Sequence, residues 1–363
     1  MKVALVYDRV NKFGGAEKVL IALHRLFPKA PLYTSVYSQK NAGWAKVFKV
    51  KSSFLQRFTF THTIHEKLAP LMPFVFESFD FSAYDLVISV TSESAKGVVT
   101  HPPTKHLCIC LTPTRYLWSG YKEYFSSTFY RVLSYPVVLY LRHWDIQAAS
   151  RPDVIVGIST AVQKRIHKYY KRSSHLLFPP VEFDAKMEKP KNVEIEEPFF
   201  LAVSRLVKYK RIDIAIRAAN KLGKRLIVIG TGHEEAHLKK IAGPTITFLG
   251  FVNDEELAWY YKNCEALLFP GREDFGIVMV EVQLFGKPVI AYRGGGALDI
   301  VKEGETGEFF DKQNTSALID MLKSFKPYRY NKKNCVNNAR NFSHKVFNAK
   351  MKEIVDDIMK TNV

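Results

Sequence analysis

Two glutamates eight positions apart, Glu273 and Glu281, lie in the stretch LFPGREDFGIVMVEVQLFGKPVIAYRGGGALDIV, residues 268 to 301. Leu267, Leu268 and Phe269 read as the end of a buried strand, Pro270 and Gly271 as its break, and residues 276 to 284 as a helix with apolar positions near the 3.6 period. Glu273 then falls in the loop at the strand's carboxyl end and Glu281 on the following helix, about two turns in. In an open α/β sheet, ligands bind outside the carboxyl ends of the strands, where the first N–H groups of the next helix favour an anion. The chemistry on offer is capture of a phosphorylated ligand. A plain alternative is that both carboxylates are solvated surface charges. Against it stands the second strand, residues 288 to 292, which ends in Arg293 and the glycines Gly294, Gly295 and Gly296, where backbone can approach a ligand closely.

A diphosphate at such a site calls for fixed cations. Arg supplies a planar fork matched to phosphate oxygens and Lys a compact charge. Arg205 and Lys210 follow the apolar run of residues 199 to 203 and would stabilise charge developing on a leaving phosphate. The chain contains no Asp-x-Asp motif, so the cationic pair and the Gly276 helix are expected to act without a metal, and no cofactor is anticipated.

The elements that position these groups alternate strand and helix, which predicts an α/β fold with parallel sheets covered on both faces. Strand candidates in the first half are residues 2–7, 86–90, 107–111 and 154–158. In the second half they are 199–203, 225–229, 246–249, 266–269 and 288–291. Residues 179 to 198, rich in proline and alternating charge, read as the linker. The expected domains are 1–185 and 186–344, with the terminal helix 345–363 crossing back onto the first. At 363 residues both have room for a core.

The segment around Glu273 and Glu281 resembles the E-x7-E region of retaining GT-B-fold glycosyltransferases, in particular family 4, group 1. FFLAVSRLVKYKRIDIAIRAAN is similar to the family's GR-L-x-x-x-K segment, and LIVIGTGHEEAHLKKIA and ITFLGFVNDEELAWYYKNCEALLFP to the units that follow it. KVALVYDRVNKFGGAEKVLIAL resembles the first strand, Gly-Gly loop and helix; CLTPTRYLW and DVIVGISTAVQKRIHKYY resemble acceptor-domain segments. The resemblance implies two doubly wound Rossmann-like domains facing a cleft. It also implies transfer of a hexose from a GDP- or UDP-sugar to a lipid-linked or oligosaccharide acceptor, with retention of configuration, in cell-surface glycan synthesis.

The resemblance places Arg205 and Lys210 on the donor diphosphate, Glu273 at the donor sugar and Glu281 on the ribose. Phe275, Gly276, Ile277, Gly14, Gly15, Gly232, Val252 and Gly295 become donor-binding candidates, with Phe251 and Val252 near the base. Arg115 and Tyr116 fall in the acceptor segment. The Gly14–Gly15 pair fits a tight turn as well, and Gly230-x-Gly232 fits packing as well as binding. Leu111 stands where many relatives have a histidine before Thr-Pro, and His106 or His101 is the candidate to reach that space instead. TPTRYLW leans toward mannose-transferring relatives and GDP-mannose. Two rival readings share the nucleotide clamp: a sugar-nucleotide epimerase or hydrolase, and an inactive nucleotide-sugar or membrane-binding homologue.

Composition of 47% hydrophobic and 24% charged residues excludes a disordered chain. Cys108, Cys110, Cys264 and Cys335 have no metal or disulfide-framework spacing. An opening strand, MKVALVYD, leaves no room for a leader, and no apolar run approaches the ~20 residues of a spanning helix; the expectation is a cytoplasmic enzyme. Net charge of +18 asks for an anionic partner. No nucleic-acid module appears. Aromatics interleaved with basic residues over 44–72 and 116–144 fit either a core or peripheral attachment to an anionic membrane at its inner face. The oligomeric state is left open.

Overall fold

The computed structural model describes residues 1–57, 65–125, 127–183, 186–190 and 198–360. Much of the linker expected at 179–198, and residues 58–64 of the first basic-aromatic stretch, lie outside them. The chain divides into two compact units, Met1–Pro180 with Phe347–Val363, and Val181–Val346.

The first unit is built on a parallel sheet of seven strands: β1 (Val3–Tyr7), β2 (Leu32–Thr34), β3 (Val50–Ser52), β4 (Leu86–Thr91), β5 (Lys105–Cys110), β6 (Val154–Gly157) and β7 (His175–Leu176), in the order β3-β2-β1-β4-β5-β6-β7. The second unit has six parallel strands: β8 (Phe200–Val203), β9 (Leu226–Ile229), β10 (Ile246–Gly250), β11 (Leu267–Phe269), β12 (Val289–Tyr292) and β13 (Gly307–Phe310), in the order β10-β9-β8-β11-β12-β13. These are the two doubly wound α/β units the alternation predicts. Every residue of β1 and β4 is buried, because parallel strands covered by helices on both faces must be apolar on both faces. β2, β3, β7 and β13 escaped the sequence reading: the first three have at most three residues and β13 opens on a glycine, and none has a run long enough for a period.

Helices on both faces complete each core. Ile212–Leu222 presents Ile212, Ile214, Ala215, Ile216, Ala218 and Ala219 to the second sheet and stops at Gly223 in the left-handed conformation, the usual glycine terminator. His344–Lys360 buries Phe347, Met351, Ile354, Val355 and Ile358, and its residues from Phe347 onward belong to the first unit.

Candidate functional site

The order of the second sheet reverses between β8 and β11, both of which neighbour each other while β9 lies on one side and β12 on the other. Such a switch point opens a crevice at the carboxyl ends of the two strands. Arg205 and Lys210 follow β8; Glu273 follows β11. The fold brings them together: Lys210 Nζ is ion-paired with Glu273 Oε1, the two side chains 10% and 18% exposed. Arg205 is more exposed and donates to Tyr209 Oη at 3.2 Å.

The loops holding these groups touch through glycines. Gly296 N–H donates to the Glu273 carbonyl at 2.9 Å, and Gly295 has φ +67 with its Cα so close to that carbonyl that any Cβ would collide with it. Glycine at Gly295 is therefore required twice, by conformation and by contact. At Gly271 an added Cβ would meet the Lys210 backbone, so the β8 and β11 loops also pack directly. Gly232 follows β9 with its backbone against the Leu206 carbonyl; loop packing accounts for that glycine without a ligand.

Gly276, at φ +95, caps the helix Ile277–Leu284 with no side-chain bond, and the first N–H groups of an α-helix have no partner within it. Ile277 is the first helical residue and half-buried. Phe275 is 4% exposed and packs edge-on against Phe342. Glu281 is the fifth residue of the helix, a little over one turn in rather than two. It is buried, and its Oε2 accepts from Tyr261 Oη at 2.9 Å. Burial first, and then the Glu281 charge, hold the Tyr261 phenol well above its ordinary pKa, which keeps it a donor. Val252 is half-buried beside the 85% exposed Phe251.

In the first unit the switch point lies between β1 and β4, and a carboxylate absent from the sequence reading organises it. Asp8, directly after β1, accepts from Thr91 Oγ1 and from the backbone N–H groups of Ser92, Glu93, Ser94 and Ala95 at 2.7 to 3.0 Å. Its position after an all-apolar strand was the available signal. Gly14 precedes the helix Gly15–Leu26 with extended backbone (φ −174), which any residue adopts. Gly15 is exposed, and Glu17 in the first turn is buried under a 2.6 Å bond from Tyr7 Oη.

The segment 112–118 is held from beneath. Asp145 accepts from Thr114 Oγ1 at 2.8 Å, Trp118 Nε1 at 2.7 Å and Tyr170 Oη at 2.8 Å, and pairs with Lys96 at 2.6 Å. No spacing ties these residues together in the sequence. Arg115 and Tyr116 between the anchors are half-buried, and burial pushes the Tyr116 phenol up. Leu111 is 9% exposed.

His106, the candidate to reach the space beside Leu111, lies in the core. It is the second residue of β5, fully buried, with Nε2 2.8 Å from Ser89 Oγ and its backbone N–H on Asp153. That is the amino end of the strand, opposite the ligand edge. Burial, reinforced by the Arg151 charge, lowers its pKa to about 3, so it is a neutral core residue. Cys108 and Cys110 on the same strand are also buried. Among the described residues, no group of three or more His, Cys, Asp and Glu could hold a metal ion, and no helix is long and apolar enough to cross a membrane.

Residues 184–342 match the model of the glycosyl transferases group 1 family. The whole chain has the fold of GT-B glycosyltransferase structures. The crystal structure of HepE from Anabaena in complex with UDP and glucose aligns over 98% of this chain and 99% of that one, with a TM-score of 0.74 at 19% identity. An uncharacterized glycosyltransferase of Methanocaldococcus jannaschii is 31% identical over 136 residues, 35% of each chain, so the match spans about a third of that relative's length. The alpha-1,3/1,6-mannosyltransferase ALG2 of Dictyostelium discoideum is 26% identical over 367 residues, 85% of each chain.

Proposed function

We propose that the protein is a retaining glycosyltransferase that moves a hexose from a nucleotide-diphosphate sugar to a lipid-linked or saccharide acceptor. The observation that carries this reading is the Lys210–Glu273 pair at the β8/β11 switch point, flanked by Arg205 and the Gly276 helix. In it the diphosphate lies against Arg205, Lys210 and the helix N–H groups. Breaking the anomeric C–O bond adds charge to the leaving phosphate, and preorganised cations stabilise that state more than the ground state. Displacement of Glu273 from Lys210 by the diphosphate would turn the carboxylate toward the donor sugar's hydroxyls, while Glu281 accepts from the ribose. Arg115 and Tyr116 contact the acceptor. The leaving phosphate takes the acceptor's proton on the same face, which preserves configuration. The cationic pair takes the part a divalent metal would play, so the reaction is metal-independent.

The mannosyltransferase relative and the TPTRYLW segment favour GDP-mannose over a UDP-sugar. A lipid-linked acceptor agrees with a basic, aromatic first half and places the enzyme at the inner membrane face, in surface-glycan synthesis. A thermal-shift panel of UDP, GDP, ADP and their sugars tests the donor, since a ligand at 100 times its Kd adds about 2.7 kcal/mol. The selected donor is then incubated with membrane lipid extract and a chelator, and the anomeric configuration of the product is read by NMR. An inverted product, or donor hydrolysis alone, would overturn the reading.

A further inference from the structure

The helix Thr128–Ser150 has one face in the core and large apolar side chains exposed on the other. Val138, Leu141, Trp144, Asp145 and Ala148 are buried, Val138 and Leu141 packed with Leu117 and Tyr121, and Trp144 against Gly97. On the opposite side of the helix, Phe129, Val132, Leu133, Tyr135, Leu139 and Tyr140 are each between 45% and 71% exposed. Single exposed apolar residues are ordinary; a contiguous run of large ones over three turns marks a surface that another phase or partner covers.

Topology says where this face lies. The helix returns the chain from the carboxyl end of β5 to the amino end of β6. Its 23 residues span about 34 Å, whereas the four residues of β6 span about 13 Å. The carboxyl-terminal half of the helix suffices to cover the sheet, and the first turns project past the carboxyl edge, the ligand edge of an open α/β unit.

Charge says what covers it. Residues 1–180 contain 24 Lys and Arg against 10 Asp and Glu, a net +14 of the chain's +18, while residues 181–346 contain 26 against 22. The apolar face thus sits on the strongly cationic unit. Phe, Leu and Tyr on a helix set in a cationic surface are the elements of interfacial attachment to anionic lipid, where each basic residue near the surface contributes about fivefold in affinity.

We infer that residues 129–140 form the membrane-docking surface, lying in the interface of an anionic bilayer beside the acceptor segment. This deepens the proposed function, resting on its reading that the acceptor is lipid-held. The test is co-sedimentation of the full chain with mixed phosphatidylglycerol–phosphatidylcholine vesicles and with phosphatidylcholine alone. The expected result is binding to the mixed vesicles that weakens in high salt and on neutral lipid. The triple variant Phe129→Ser, Val132→Ser, Leu133→Ser should lose about 100-fold in partitioning with an unchanged thermal midpoint, because all three side chains are exposed. Equal binding by the variant, no binding by the parent, or a parent dimer that the variant abolishes would overturn the inference. UDP and GDP binding by calorimetry on the same samples reports the donor site separately: vesicle binding without nucleotide binding would support the docking surface while sinking the transferase.

Discussion

Lys96 Nζ and Asp145 Oδ1 are 2.6 Å apart, with side chains 3% and 1% exposed, beneath the segment that carries Arg115 and Tyr116. Burial opposes the Lys96 charge, but the attraction of Asp145 and its hydrogen bond dominate and leave the Lys96 pKa raised. Asp145→Asn keeps the shape and leaves a buried ammonium unpaired, a change that costs about 3–5 kcal/mol. Chemical denaturation should show this loss, and the double variant Lys96→Met, Asp145→Asn should recover part of it. Additive losses would mean that the two charges do not support each other. A raised lysine pKa contributes stability below the unfolded value near 10.5 that is lost as pH rises through the folded one, so Lys96 adds no pH dependence near neutrality.

His106 contributes to the acid limb instead. Its folded pKa is about 3 against an ordinary 6.5, so below pH 6.5 the unfolded chain takes up a proton that the folded chain refuses. The contribution is constant above 6.5 and falls by roughly 1.4 kcal/mol per pH unit below it, until the folded pKa is reached. Unfolding of the parent and of His106→Gln between pH 7 and pH 4 checks this. The variant should start less stable, having lost the fit to Ser89, and decline less steeply. Parallel curves would refute the assignment.

Removing one preorganised charge from a transfer site costs ~10²-fold or more in rate. Arg205→Ala and Lys210→Ala should show that loss with the thermal midpoint near the parent's for Arg205→Ala, whose guanidinium is exposed. Lys210→Ala also strips Glu273 of its partner, so its stability should fall as well. Full sugar transfer by both variants would remove the donor site from this crevice.

The strand and helix alternation of both units was legible because buried parallel strands are unbroken apolar runs, and β1, β4, β8, β9 and β12 appear within two residues of where the sequence puts them. The short strands were not, since three residues carry no period. Within the site, glycines and charges beside strand ends were legible, as Lys210, Glu273 and Gly295 show. What spacing cannot carry is the partner of a buried charge. Lys96 meets Asp145 across 49 positions and Asp8 meets Ala95 across 87, and both unions depend on topology. The same holds for His106: its Ser89 and Asp153 partners, 17 and 47 positions away, come from topology and not from spacing.

Glu281 and Tyr261 separate a ligand role from a structural one. Each loses something when their 2.9 Å bond is broken, but only Glu281 is proposed to accept from a ribose. Tyr261→Phe removes the donor while retaining the ring that packs on Phe183 and Phe285; it should cost about 1 kcal/mol of stability and little in nucleotide affinity. Glu281→Gln retains an acceptor oxygen for Tyr261 but loses the charge, and charge-assisted bonds are about twice as strong as neutral ones. Its Kd for the nucleoside diphosphate should therefore rise about tenfold, the 1.4 kcal/mol that such a difference represents. Calorimetry with both variants decides the matter. Equal affinities for Glu281→Gln and the parent would leave the carboxylate as a buried brace for Tyr261, with the ribose bound elsewhere.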